Sequence, residues 1–168
     1  IPFPALPLSF FAPALPGSRT EHLGATPGFV SSLAVDSRGI LYYTTTAGTL
    51  FRFDAGLSTP IATVETTPIR NSGLLGMALI HDRTAVVHYT TPIQTHDVIA
   101  RIDLTTGRET ILHRFPCDIE VPERGSSSEH HGGNPHVAAD GTIWVGIGDY
   151  GYSKLAALQQ WNGGKIFR

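Results

Sequence analysis

His130 and Asp149 are the residues of this sequence best suited to chemistry. The stretch they bracket reads His-His-Gly-Gly-Asn-Pro-His-Val-Ala-Ala-Asp-Gly-Thr-Ile-Trp-Val-Gly-Ile-Gly-Asp. It predicts a histidine on a glycine-rich turn, then a hairpin, then an aspartate at the end of the returning strand. Glycine lets backbone come close to a ligand at little steric cost. An aspartate brought back beside the imidazole would fix its tautomer and raise its basicity. Those are the parts of a general base.

Other candidates compete with this pair. Of the adjacent His130 and His131, one is expected to face inward and the other outward. The plain structural alternative is a pair of loop histidines bonding carbonyls. Glu129, His130, His131 and His136 are close in sequence, but no His-x-x-x-His on a helix and no cysteine partner accompanies them. No metal site is therefore expected there. Gly146-Ile-Gly148-Asp149-Tyr-Gly151 matches G-x-G-x-x-G after a predicted strand. An Asp inside that loop would repel a pyrophosphate, and hairpins rather than a β-α-β unit precede it, so it is not read as a dinucleotide site. Ser126-Ser127-Ser128 lacks a G-x-S-x-G elbow and reads as a surface loop. Cys117 follows Pro116 at a strand end, where a buried or idle thiol is the default.

Short strands must position these residues. The chain has 168 residues, 41% apolar and 15% charged, with 18 glycines and 12 prolines. That balance favours an all-β protein over a helical one. A net charge of −2, without a basic run or an acidic block, gives no reason to expect nucleic acid or a charged membrane surface. One cysteine excludes an internal disulfide framework and an all-cysteine zinc site. No apolar run is long enough to span a bilayer. The chain begins Ile1-Pro2-Phe3-Pro4 without an initiator Met, which suggests a processed or cut polypeptide. Residues 1–27 are expected to form an extended Pro-rich arm, with no basic n-region of an intact signal peptide.

A pattern recurs three times: a small apolar strand, an Asp at a turn, and a strongly apolar strand. The copies are Leu33 to Tyr43 around Asp36, Ala78 to Tyr89 around Asp82, and His136 to Val145 around Asp140. Asp and Gly at such places suit tight hairpins. Arg52-Phe-Asp54 and Arg101-Ile-Asp103 close the first two copies, and Lys165-Ile-Phe-Arg168 opens the same element in the third. A period of roughly 40–50 residues with several strands per unit marks a β-propeller. Blades are expected over about 28–64 and 73–116, with an incomplete one over 130–168. Strands are expected near 30–35, 40–45, 49–53, 60–64, 75–80, 85–90, 97–103 and 109–115. Residues 153–161 suit one or two helical turns. Two and a half blades would leave exposed edges. The remainder is expected in a second polypeptide from the same precursor, or lost to cleavage.

Three segments carry a resemblance. Gly73-Leu-Leu-Gly-Met-Ala-Leu79 with Tyr89-Thr90, His130-x-Gly-Gly to Asp140-Gly to Gly148-Asp149, and Gly164-Lys165-Ile-Phe-Arg168 come in one order. They resemble the G-L-L-G-x-A-φ … Y-T, H-x-G-G … D-G … G-D and G-K-φ-φ-R patterns of the soluble quinoprotein glucose and aldose sugar dehydrogenases. Those proteins are six-bladed propellers that bind pyrroloquinoline quinone (PQQ). The resemblance covers roughly residues 28–168. It implies that His130 is the base that takes a hydroxyl proton from a sugar or alcohol as hydride passes to the quinone, and that Asp149 pairs with it. It implies cofactor contacts at Asn71, where the family usually has Gln or Glu, at His130, and at Asn134, where Arg is frequent. It also implies Ca²⁺, with most ligands of both cofactors outside this chain, and a secreted or periplasmic location. Non-catalytic relatives exist, so a sugar- or protein-binding propeller is the alternative. A metal-dependent propeller hydrolase or lactonase is a third.

Overall fold

A computed structural model describes residues 17, 21–66, 68–117 and 129–168. Most of the arm expected over residues 1–27, and Ser126 to Ser128, lie outside the described residues; residues 21–27 carry no helix or strand. Three antiparallel sheets make up the described chain. The first runs β1 (Val30–Val35), β2 (Leu41–Thr45), β3 (Thr49–Asp54) and β4 (Leu57–Thr63), each hydrogen-bonded to the next. The second repeats that order with β5 (Leu74–His81), β6 (Thr84–Thr90), β7 (His96–Asp103) and β8 (Glu109–Pro116). The third has β10 (Ile143–Ile147) between β9 (His136–Val137) and β11 (Lys165–Phe167). One helical turn, α1 (Ser153–Ala156), lies in the long connection from β10 to β11. The eight strands expected in the first two units fall within a few residues of those observed. β4 starts earlier, because Ala55 and Gly56 take positive φ and turn the chain tightly after Asp54.

The recurring aspartates build the hairpins. Asp36 Oδ1 accepts the backbone N–H groups of Arg38 and Ile40, each at 2.9 Å. Asp140 Oδ1 accepts the N–H of Thr142 at 2.9 Å. Such Asx turns satisfy donors that a reversal would otherwise strand. Asp82 does something different. It reaches the first sheet, taking the Ser37 N–H at 3.0 Å and a short bond from the Ser37 hydroxyl. Two adjacent hairpin tips are joined in this way.

Side-chain alternation places two cores, one on each face of the second sheet. Ala85, Val87 and Tyr89 join Tyr42, Leu50, Leu74 and Met77 between the first and second sheets. Val86, Ile99 and Phe115 join Val145, Ile147, Tyr150 and Trp161 between the second and third. Burying one such aliphatic side chain contributes about 1.5–3 kcal/mol, so the doubly covered second sheet is the anchor of the chain. The outer surfaces are less covered. Leu33 and Val35 of β1 and Ile166 of β11 remain well exposed. Tyr43 and Phe51 stack at 5.0 Å on the outer face of the first sheet.

Candidate active site

The loop carrying His130 is held against the end of β10. Gly132 bridges to Ile147, and the Gly148 N–H donates to the His131 carbonyl at 3.3 Å. The Tyr150 N–H points at the His130 carbonyl at 3.4 Å. Two glycines make this approach possible. A Cβ on Gly148 would lie 1.8 Å from the His130 carbonyl oxygen, and Gly132 has φ of +124°, where side chains are strained. His130 itself has φ of +53°. The glycines flanking the histidine and the aspartate therefore bring two distant stretches of backbone into contact.

His130 Nδ1 lies 2.7 Å from Asp149 Oδ1. A carboxylate only accepts, so Nδ1 carries the proton and the neutral ring leaves a lone pair on Nε2. The His130 side chain is 54% exposed, while Asp149 is 24% exposed. The bond from His130 holds the Asp149 carboxyl below the ordinary aspartate range; partial burial opposes this, and the Gly151 N–H adds to it. That N–H donates to the same Oδ1 at 2.9 Å. The result is an oriented imidazole with one nitrogen tied back and the other turned away from the tie.

Asn71 and Asn134 stand differently. Asn71 is exposed on the turn before β5. The neighbouring Arg70 pairs with Glu129 at 2.7 Å, which joins this turn to the residue preceding His130. Asn134 Oδ1 accepts the Met77 N–H at 3.3 Å, and its Cα packs against Gly76, where a Cβ would come within 2.6 Å. The amide oxygen of Asn134 thus ties the loop to β5.

Behind this surface is a buried polar cluster centred on Asp97. His131 Nδ1 lies 3.2 Å and His88 Nε2 3.7 Å from Asp97 Oδ1, and all three side chains are fully buried. The Thr90 hydroxyl donates to the same oxygen at 2.9 Å. Burial works against the charge on Asp97, yet the hydrogen bonds and positive potential from His131 and His88 prevail and bring its pKa to about 2. Cys117 Sγ lies 3.9 Å from His131 Nδ1. The sequence reading missed His88 and Asp97. Their signal was a polar residue inside an apolar run: His88 between Val87 and Tyr89, and Asp97 just before Val98-Ile-Ala. Glu129, His130 and His136 do not join His131 in a cluster of metal donors; among the described residues Asp97 and Cys117 do.

No protein-family profile matches the sequence, and no curated protein matches it. Solved structures do. An oxidoreductase described as a glucose dehydrogenase, from Thermus thermophilus, aligns over 89% of this chain with a TM-score of 0.72 and 23% identity. The PQQ-bound form of aldose sugar dehydrogenase from Streptomyces coelicolor aligns over 88% with a TM-score of 0.73 and 24% identity. A further glucose dehydrogenase aligns over 84% at 0.69 and 21% identity. The described chain therefore has the fold of these dehydrogenases, as the three motifs implied. It spans 46%, 46% and 44% of their respective lengths.

Proposed function

We propose that this chain is part of a six-bladed β-propeller oxidoreductase, acting on the hydroxyl of a sugar or alcohol with His130 as the base. The two meander sheets are its first two blades and the third sheet is part of the next. The observation that carries the proposal is the 2.7 Å bond from His130 Nδ1 to Asp149 Oδ1 beside an exposed ring. His130 Nε2 accepts the hydroxyl proton, and Asp149 stabilises the imidazolium that forms. Gly133, three residues after the base, has open space where a Cβ would be. PQQ, when bound, supplies the hydride acceptor.

The described residues fit one side of such a site and not the whole. PQQ has three carboxylates and calls for cations around it. Beside His130 the charged groups are Asp149 and the Arg70–Glu129 pair, so one guanidinium is present and it already serves a carboxylate. Asn71 and Asn134 would offer amides. The remaining cations and the Ca²⁺ ligands would come from further blades, in a second polypeptide or a longer chain. The uncovered apolar faces at Leu33, Val35 and Ile166 suit the packing of such blades. A secreted or periplasmic location goes with this reading.

His130→Gln in the complete assembly tests the proposal. General-base help is worth ~10²–10⁴-fold, so sugar turnover with a dye acceptor is expected to fall by about that factor. Undiminished turnover would remove His130 from the chemistry. A second reading, a propeller that binds sugar or protein without chemistry, is favoured by the Asn134 oxygen being engaged with Met77. Absence of PQQ binding by calorimetry, together with retained sugar binding, would select it.

A further inference from the structure

We infer that Asp97, Cys117 and His131 form a buried three-donor, zinc-type metal site at the seam between the second and third sheets. The inference stands apart from the proposed reaction, which uses none of these side chains. One donor atom from each of Asp97, Cys117 and His131 lies within 4.8 Å of the other two, and all three residues are buried.

The spacings suit one small cation. Tetrahedral zinc, with bonds of about 2.0–2.1 Å to nitrogen or oxygen and about 2.3 Å to sulfur, sets two N/O donors about 3.3 Å apart and a sulfur and a nitrogen about 3.6 Å apart. The observed edges are 3.2 Å from Asp97 Oδ1 to His131 Nδ1 and 3.9 Å from Cys117 Sγ to the same nitrogen. On these two edges, shifts of a few tenths of an ångström would bring the His131 nitrogen and its two neighbours to zinc spacing.

His88 stands beside the donor set, with Nε2 3.7 Å from Asp97 Oδ1. Its Nδ1 lies 2.9 Å from the Gly133 carbonyl oxygen, which can only accept, so Nδ1 carries a proton. His88 Nε2, Asp97 Oδ2, His131 Nε2 and Tyr150 Oη are all buried without a hydrogen-bond partner among the described residues. A buried carboxylate oxygen without a donor is costly, and a cation beside Asp97 would satisfy it. An Asp97 carboxylate and a Cys117 thiolate would balance a divalent ion, so no net charge would be buried. Thiolate and imidazole donors select zinc over calcium or magnesium.

The site would join β7 and the chain just past β8 to the loop that carries His130. Cys117 and His131 flank residues 118–128 in sequence, so one ion would pin both sides of that stretch.

The full chain is expressed in zinc-supplied and in cobalt-supplied minimal medium, kept reduced, and dialysed exhaustively without PQQ. Elemental analysis is expected to give one zinc per chain. The cobalt form is expected to show intense tetrahedral d–d bands and a sulfur-to-cobalt charge-transfer band. Cys117→Ser should remove the charge-transfer band, while His136→Gln, outside the donor set, should leave the spectrum unchanged. If Cys117→Ser does not fold, the wild-type cobalt spectrum decides alone. No stoichiometric metal, or a cobalt spectrum without the sulfur band, would each overturn the inference.

Discussion

Two histidines adjacent in sequence make contacts with aspartates, and the contacts serve opposite ends. His130 meets Asp149 at 2.7 Å on a surface, and His131 meets Asp97 at 3.2 Å in a fully buried cluster. The first pair keeps one imidazole nitrogen open to solvent. The second has no access to solvent, and both its residues also face His88, Thr90 or Cys117. In the proposed reading the same two residue types supply proton chemistry in one place and cohesion in the other. Burial separates the roles. An exposed ion pair contributes at most about 1 kcal/mol, whereas stripping one partner from a buried charged set costs about 3–5 kcal/mol.

Breaking each pair by one truncation tests that separation. Asp97→Ala is expected to destabilise the protein by about 3–5 kcal/mol in denaturant unfolding, since it removes the carboxylate at the centre of a fully buried polar cluster. Asp149→Ala is expected to cost no more than about 1 kcal/mol in the same measurement, while lowering turnover of the complete assembly. Equal losses of stability would erase the distinction between the two pairs.

Gly148→Ala acts on the backbone they share. Its Cβ would fall 1.8 Å from the His130 carbonyl oxygen, and the obstacle is backbone rather than a flexible side chain. The loop must move away from β10. A loss of about 1–3 kcal/mol is expected, of the size seen for overpacking. The His130–Asp149 bond should loosen as well, which amide exchange at Gly151 would report, because that N–H shares Asp149 Oδ1.

A smaller effect concerns protonation. The bond from His130 holds the Asp149 carboxyl below its ordinary range. A group depressed in the folded state adds stability above the pKa of an unfolded aspartate, about 3.9, and loses it as the pH falls through the folded value. Carboxyl ¹³C titration is expected to place Asp149 below that reference, and His130→Gln is expected to move it upward. An unchanged titration would mean that the Gly151 N–H, rather than the imidazole, sets the charge on Asp149.

These contrasts also explain what could be read from the sequence. The His130–Asp149 pair was legible because its geometry is built from a local hairpin and from glycines that few other contexts require. The strands of the first two sheets were legible because Asp36 and Asp103 mark their turns and the apolar residues alternate between them. The Asp97 cluster was not legible in this way. It draws on β6, β7, the end of β8 and the loop before β9, and no periodic pattern encodes contacts between elements so far apart. His88 and Asp97 look only like interruptions of apolar strands until the third sheet covers them. The role of Asn134 was hidden for the same reason, since Met77 reaches it from another sheet.

The mildest perturbation asks whether the surface pair depends on anything beyond its own bond. Arg70 Nη1 lies 2.7 Å from Glu129 Oε1, with side chains 66% and 43% exposed. This contact joins the turn of Asn71 to the residue before His130, yet water screens it and long side chains lose entropy in forming it. Arg70→Ala is expected to lower stability by about 0.2–1 kcal/mol, with a difference that shrinks as salt is added. Turnover should change much less than in His130→Gln, because the imidazole is oriented by Asp149 and by the backbone at Gly132 and Gly148, none of which Arg70 touches. A loss of turnover as large as that of His130→Gln, at unchanged stability, would instead make Arg70 part of the site. The guanidinium would then be held by Glu129 for an anionic group on the bound molecule, and the loop's two sides would act as one recognition surface.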